Sequence, residues 1–125
     1  MPVDQASRLI AIIDDDEAMQ DSLRDLMESA GLVARCFGSP EEFLASDLRA
    51  RAACLIVDIR MPKMTGPQLQ ARLKEEERNI PIIFITAHGD ARMRIRSMRE
   101  GAVEFLAKPF DHRLLLKRIR AALDM

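Results

Sequence analysis

Leu55-Ile56-Val57-Asp58-Ile59-Arg60-Met61-Pro62-Lys63-Met64-Thr65-Gly66 is the stretch whose reading decides the fold. An apolar run climbs to a single aspartate, and the chain then breaks at Pro62 and Gly66. Cys54–Val57 is apolar without alternation, which is the pattern of a short strand buried on both faces. Pro62 disfavours helix at Met61, and Gly66 offers backbone conformations closed to other residues. Asp58 is thereby placed at the carboxyl end of a central strand. In open α/β sheets that edge is where ligands bind, so Asp58 is read as the reactive residue.

The same pattern repeats on both sides of this strand. Arg8–Ile13 is apolar and runs into Asp14-Asp15-Asp16-Glu17, with Asp16 as N-cap of a helix that carries Met19, Leu23, Leu26, Met27 and Ala30 on one face and stops at Gly31. Leu32–Phe37 reads as a second strand. Ser39-Pro40-Glu41-Glu42 starts a short helix to about Ser46, and a polar connection leads on to the Asp58 strand. Beyond it, Pro67 opens a third helix with Leu69 and Leu73 inward. Pro81–Thr86 is a buried strand ending in Ala87-His88-Gly89-Asp90. A fourth helix spans about Ala91–Glu100, with Arg92, Arg96 and Arg99 on one face and Ala91, Ile95 and Met98 on another. Val103–Leu106 is a fifth strand, broken at Lys108-Pro109, and Asp111 caps a last helix, apolar at Leu115, Ile119, Ala122 and Leu123. Five strands alternating with five helices predict a parallel sheet covered on both faces, with right-handed crossovers.

Length and composition set the class. The chain has 125 residues, 48% hydrophobic and 31% charged, and its net charge is −1. This describes one domain over 1–125, with an ordered core over about 8–124. There is no basic field to argue for nucleic acid, and no apolar run near the roughly 20 residues of a membrane span. Met1–Ser7 lacks the basic and apolar regions of a signal peptide. Cys36 and Cys54 form no CxxC pair and read as reduced, buried thiols, so a cytoplasmic protein is expected.

At the carboxyl ends of the strands the sequence places Asp14 and Asp15, Asp58, Thr86 and Lys108. Carboxylates on neighbouring strands repel unless a cation joins them. Hard oxygen ligands with no cysteine or histidine set suit Mg²⁺ or Mn²⁺. A lysine and a hydroxyl beside that metal complete a site for a phosphoryl group, with the Asp58 carboxylate as nucleophile and an aspartyl phosphate as product.

Four segments, IIDDDEAM, LIVDIRMPKMTG, IPIIFITAHGD and GAVEFLAKPF, occur in this order over nearly the whole chain. With them the sequence resembles the receiver domains of two-component response regulators, a CheY-like superfamily. RMPKMTG and TAHGD look most like FixJ/NarL-type receivers. The resemblance implies the flavodoxin-like (βα)5 doubly wound fold, strand order 2-1-3-4-5. It implies phosphorylation of Asp58 by the phosphohistidine of a sensor histidine kinase, with the chain catalysing only its own phosphorylation and dephosphorylation. By position, Asp15 matches the direct metal ligand, Asp14 a ligand through water, and the Arg60 backbone carbonyl the third protein ligand. Thr86 matches the switch hydroxyl, Ala87 the small residue giving the phosphoryl group room, and Lys108 the phosphate-binding lysine. Pro109 matches a proline preceded by a cis bond. Phe105 matches the switch aromatic, where phenylalanine signals by packing alone. Arg60 and His88 fall beside the phosphoryl group and are candidates for setting its lifetime. The fourth helix, fifth strand and last helix match the output surface, which is also expected to form a phosphorylation-dependent homodimer.

Three other functions fit less well. A phosphatase of the haloacid-dehalogenase kind wants a second aspartate two residues after the first, where this chain has Arg60. A flavin or nucleotide module of the same fold wants a Gly- or Ser/Thr-rich first loop, where this chain has Asp14-Asp15-Asp16-Glu17. An unphosphorylated interaction scaffold would not need the full set of five polar residues. The output is expected to be either a DNA-binding domain of a longer regulator or the partner of a single-domain receiver. This domain itself is expected to bind neither DNA nor membrane.

Overall fold

A computed structural model describes residues 9–87 and 91–124. The elements are β1 (Leu9–Ile13), α1 (Glu17–Ser29), β2 (Val33–Phe37), α2 (Pro40–Ala45), a 3₁₀ turn (Asp47–Arg51), β3 (Ala52–Asp58), α3 (Gly66–Glu75), β4 (Ile82–Thr86), α4 (Ala91–Arg99), β5 (Glu104–Ala107) and α5 (His112–Ala122). The five strands form one sheet in the order β2-β1-β3-β4-β5, and every neighbouring pair is parallel. This is the parallel sheet expected from the repeating pattern, in the flavodoxin-like strand order that the resemblance implies. No helix among the described residues is long and apolar enough to cross a membrane.

The unbroken apolar run of β3 is explained by a core on each face of the sheet. Leu55 and Val57 pack with Phe43, Leu69, Leu73 and Phe84 on the side of α2 and α3. Cys54 and Ile56 pack with Leu23, Met27, Leu115 and Ile119 on the side of α1 and α5. Successive residues of a strand point to opposite faces, so a strand between two cores is apolar at both parities. β3 is longer than the expected Cys54–Val57 and includes Asp58 as its last residue.

Caps mark the helix starts. Asp16 accepts from the Ala18 N–H, Ser39 from Glu42 and Asp111 from Arg113. Thr65 and Gln68 form a reciprocal capping box, so α3 begins at Gly66, one residue before Pro67. Gly31 closes α1 at φ +77°, where a left-handed turn lets the Gly31 and Leu32 N–H groups reach the Glu28 and Met27 carbonyls.

Two expectations are corrected, and the orientation of α4 is added to them. The connection before β3 contains the 3₁₀ turn, tied down because Arg49 reaches the Leu44 carbonyl and Glu76 while Arg78 donates to the Arg49 carbonyl. Gly66 does not use a conformation closed to other residues: the left-handed turn in this loop is at Lys63 (φ +68°), and Gly66 is required by space instead. The apolar face of α4 points outward, with Ile95 57% and Met98 38% exposed, while Ser97 is buried and Met93 partly so. At 100° per residue, a helix that seats Met93 and Ser97 on the protein turns Ile95 to the opposite side.

Candidate functional site

Strand register assembles the acidic cluster. Ile13 pairs with Val57, so the next residues along the two parallel strands, Asp14 and Asp58, leave the sheet side by side. Asp58 pairs with Ile85, which sets Thr86 one step further along β4, and Thr86 pairs with Ala107, which precedes Lys108. Because all strands run the same way, the five polar residues read from the sequence arrive at one edge.

The carboxylates of Asp14, Asp15 and Asp58 offer oxygen atoms that all lie within 4.8 Å of one another. Lys108 Nζ stands 3.6 Å from Asp14 Oδ2 and 3.8 Å from Asp58 Oδ2. Backbone groups orient the acids: the Asp16 N–H donates to Asp14 Oδ1 at 2.9 Å, and the Arg60 N–H to Asp58 Oδ1 at 3.1 Å. Asp14 is fully buried. Burial pushes its carboxyl above the usual carboxylate range, and the Asp58 and Asp15 charges push further, against the Asp16 N–H and Lys108. Burial also raises Asp58, helped by Asp15 and Asp16 and opposed by the Arg60 N–H and Lys108.

This electrostatic imbalance tests the fit of a cation. The Lys108 ammonium pairs with two of the three carboxylates, and buried Asp14 Oδ2 has no hydrogen-bond partner among the described residues. A buried acceptor left in that state is costly unless something else satisfies it. An all-oxygen donor set suits a hard divalent ion such as Mg²⁺ or Mn²⁺.

The remaining candidates lie around this cluster. Thr86 is buried, and its carbonyl accepts the Lys108 N–H at 2.7 Å. Ala87 and the Arg60 side chain are exposed. The Lys108–Pro109 peptide is cis. Phe105 is buried, its ring 6.5 Å from that of Phe84. His88 lies outside the described residues. One residue at the site was not read from the sequence: Gln20 of α1, whose side-chain amide donates to the Asp14 backbone carbonyl. Its position, one helical turn past the Asp16 cap, is the only trace of this in the sequence, since nothing in the residue type announces the contact.

A doubly wound sheet with clustered carboxylates and a lysine at the carboxyl edge defines a class of cation- and phosphoryl-binding α/β domains. Comparison with known proteins narrows the class. The family model "Response regulator receiver domain" matches residues 10–120. The response regulator TodT of Pseudomonas putida is 47% identical over 122 residues, which are 98% of this chain and 53% of TodT. The transcriptional regulatory protein FixJ of Bradyrhizobium diazoefficiens is 39% identical over 114 residues, 91% of this chain and 56% of that protein. The crystal structure of FixJ-N superposes with a TM-score of 0.85 at 36% identity, covering 94% of each chain. The chain belongs to the response regulator receiver domains of two-component systems, in the FixJ-like, CheY-like group. Receivers of this family are phosphoryl-accepting switches that bind Mg²⁺ through acidic residues and work with a histidine kinase. The matched relatives are regulators, and the chain spans about half their length.

Proposed function

We propose that this domain accepts a phosphoryl group on Asp58 from the phosphohistidine of a sensor kinase. An Asp58 carboxylate oxygen attacks phosphorus and the N–P bond breaks, leaving its electron pair on the kinase imidazole. Asp15, Asp58 and the Arg60 carbonyl would hold the metal directly and Asp14 through water. Mg²⁺ or Mn²⁺ bound there supplies Lewis-acid stabilisation of the phosphoryl oxygens. Lys108 binds a second phosphoryl oxygen and Thr86 a third, while Ala87 leaves the group room. Pro109 fixes the turn that carries Lys108. The observation that carries this reading is three mutually close carboxylates, two of them beside Lys108, with the buried Asp14 Oδ2 lacking a hydrogen bond among the described residues.

The charge added at Asp58 draws the Thr86 hydroxyl toward it, and Phe105 repacks behind it. This shifts an equilibrium that the surface of α4, β5 and α5 reports to an output domain, a partner or a second copy. The exposed Ile95 and Met98 support a homodimer through that surface. Arg60 and His88 are proposed to set the lifetime of the phosphoryl group, and the domain acts in the cytoplasm, binding neither nucleic acid nor membrane itself. Residues 1–125 are assigned to one receiver domain, with its core over about 8–124.

Intact-mass spectrometry after incubation with Mg²⁺ and acetyl phosphate tests the central step. One added phosphoryl group is expected, absent with EDTA and absent in Asp58→Asn. A folded, Mg²⁺-bound protein that takes up no phosphoryl group from acetyl phosphate or from a phosphorylated kinase would leave the scaffold reading in its place.

A further inference from the structure

We infer that Gln20 is a positioning residue for the acidic cluster, holding the peptide between Asp14 and Asp15 in the orientation that cation binding requires; the inference rests on the metal reading above. β1 ends at Ile13, and the last backbone bond on this side is from the Asp14 N–H to the Phe37 carbonyl at 3.0 Å. The next carbonyl, that of Asp14, has left the sheet, and its donor among the described residues is the Gln20 side-chain amide. Asp14 is fully buried, so loss of this donor strands a buried carbonyl.

That oxygen belongs to the peptide joining the two acids. The peptide is planar from one Cα to the next, so fixing its oxygen also fixes the direction in which the chain reaches Asp15. Asp14 is then held at its main-chain nitrogen by Phe37, at its main-chain oxygen by Gln20 and at Oδ1 by the Asp16 N–H. Only Oδ2 is left to face the cluster. Gln20 is itself anchored: its N–H donates to the Asp16 carbonyl at 3.0 Å, and the Cys36 thiol donates to its main-chain carbonyl at 3.6 Å. Three carboxylates at this separation push one another apart, and an unheld loop would relax away from the geometry that a cation needs. Groups that orient metal ligands without touching the metal commonly set the affinity by about 10-fold or more.

The test is a Mg²⁺ titration of the ¹⁵N-labelled full chain, following the Asp16 and Arg60 amides, which donate to the Asp14 and Asp58 carboxylates. Gln20→Met and Gln20→Asn remove or shorten the donor. Gln70→Ala is the control, because it deletes a hydrogen bond of the same kind, Gln70 Nε2 to the Ser97 carbonyl at 3.3 Å, between α3 and α4. Thermal unfolding in EDTA is measured on all four proteins. Both Gln20 variants should bind Mg²⁺ about 10-fold more weakly. Gln70→Ala should lose stability yet keep its Mg²⁺ affinity within about twofold, as expected for a site that does not share partners. If Gln20→Met does not fold, Gln20→Asn decides. Gln20 variants with wild-type affinity, or a Gln70→Ala affinity reduced as much as theirs, would overturn the inference while leaving the metal reading intact. A wild-type protein that binds no Mg²⁺ would overturn both.

Discussion

Replacing Gly66 with alanine should destabilise the protein by about 1–2 kcal/mol, although alanine is the better helix former. Gly66 is the first residue of α3, and its backbone needs no left-handed conformation. What it lacks is room. A Cβ there would sit 2.8 Å from Phe84 Cε1, 3.1 Å from Phe84 Cδ1 and 3.2 Å from the Ile59 Cα. Phe84 is fully buried, with the Phe105 ring tilted against it at 6.5 Å, so it has little freedom to turn away. Overpacking of this kind costs about 1–3 kcal/mol, offset by roughly 0.4–1 kcal/mol from the stiffer unfolded chain. With an unfolding entropy near 2.1 cal/mol/K per residue, the melting temperature should fall by roughly 4–8 °C. Urea and thermal denaturation with EDTA present measure it. The cost should shrink when Phe84→Leu is made in the same chain, because the two changes share one space. An unchanged or raised midpoint in the single variant, or full additivity in the double, would refute the packing explanation.

The pH dependence of Asp58→Asn follows from the raised Asp58 carboxyl. The folded protein holds a proton there at pH values where the unfolded chain, with the ordinary value of 3.8, has released it. Ionised Asp58 therefore destabilises the fold by an amount absent below 3.8 and fully present above the raised folded value. In EDTA, Asp58→Asn should gain stability over wild type as pH rises through that window and then level off; a difference flat with pH would sink this. Lys108→Ala takes the Lys108 ammonium from two carboxylates that are mostly buried and should cost about 2 kcal/mol of metal-free stability. It should also slow phosphorylation by acetyl phosphate, and a rate equal to wild type would remove Lys108 from the proposed machinery. Ile95→Asp places a charge on the exposed apolar face of α4 and should abolish any dimer seen by light scattering after phosphorylation, while leaving the melting temperature within a few degrees. Persistent dimerisation would move the interface elsewhere.

Much of this molecule was legible in the sequence because a parallel sheet makes strand ends equivalent. Once Leu55–Val57 is read as a strand buried on both faces, Asp58 must leave at the carboxyl edge. The same reading sends Asp14, Thr86 and Lys108 to that edge without further information. Helix caps were legible for a similar reason, since Asp16, Ser39 and Asp111 act on residues two or three positions away. What the sequence concealed depends on contacts between distant segments. The reason for Gly66 lies in Phe84, eighteen residues away on another element. The 3₁₀ turn looked like a polar connection because Arg49 and Arg78 give no local sign of the carbonyls and the glutamate they reach. Gln20 looked like any polar residue on a helix face.

The fourth helix shows most sharply why periodicity alone was insufficient. Its apolar residues Ala91, Ile95 and Met98 form a face at helical spacing, and burying such a face is the ordinary reading. The protein instead turns Met93 and Ser97 inward. On the inner side Met93 packs partly on the core and the Ser97 carbonyl accepts from Gln70, while Glu100, just beyond the helix, pairs with Lys74 at 2.9 Å at the surface. With Ser97 its one fully buried residue and its apolar face outward, α4 gains less of the hydrophobic stabilisation that Leu23, Met27, Leu115 and Ile119 give α1 and α5. The lower cost of moving it is what a switch requires, since an element can report a phosphoryl group only if its two positions differ by a few kcal/mol. The outward apolar face of α4 is therefore consistent with its proposed work: Ile95 and Met98 are available to a partner because the core does not use them.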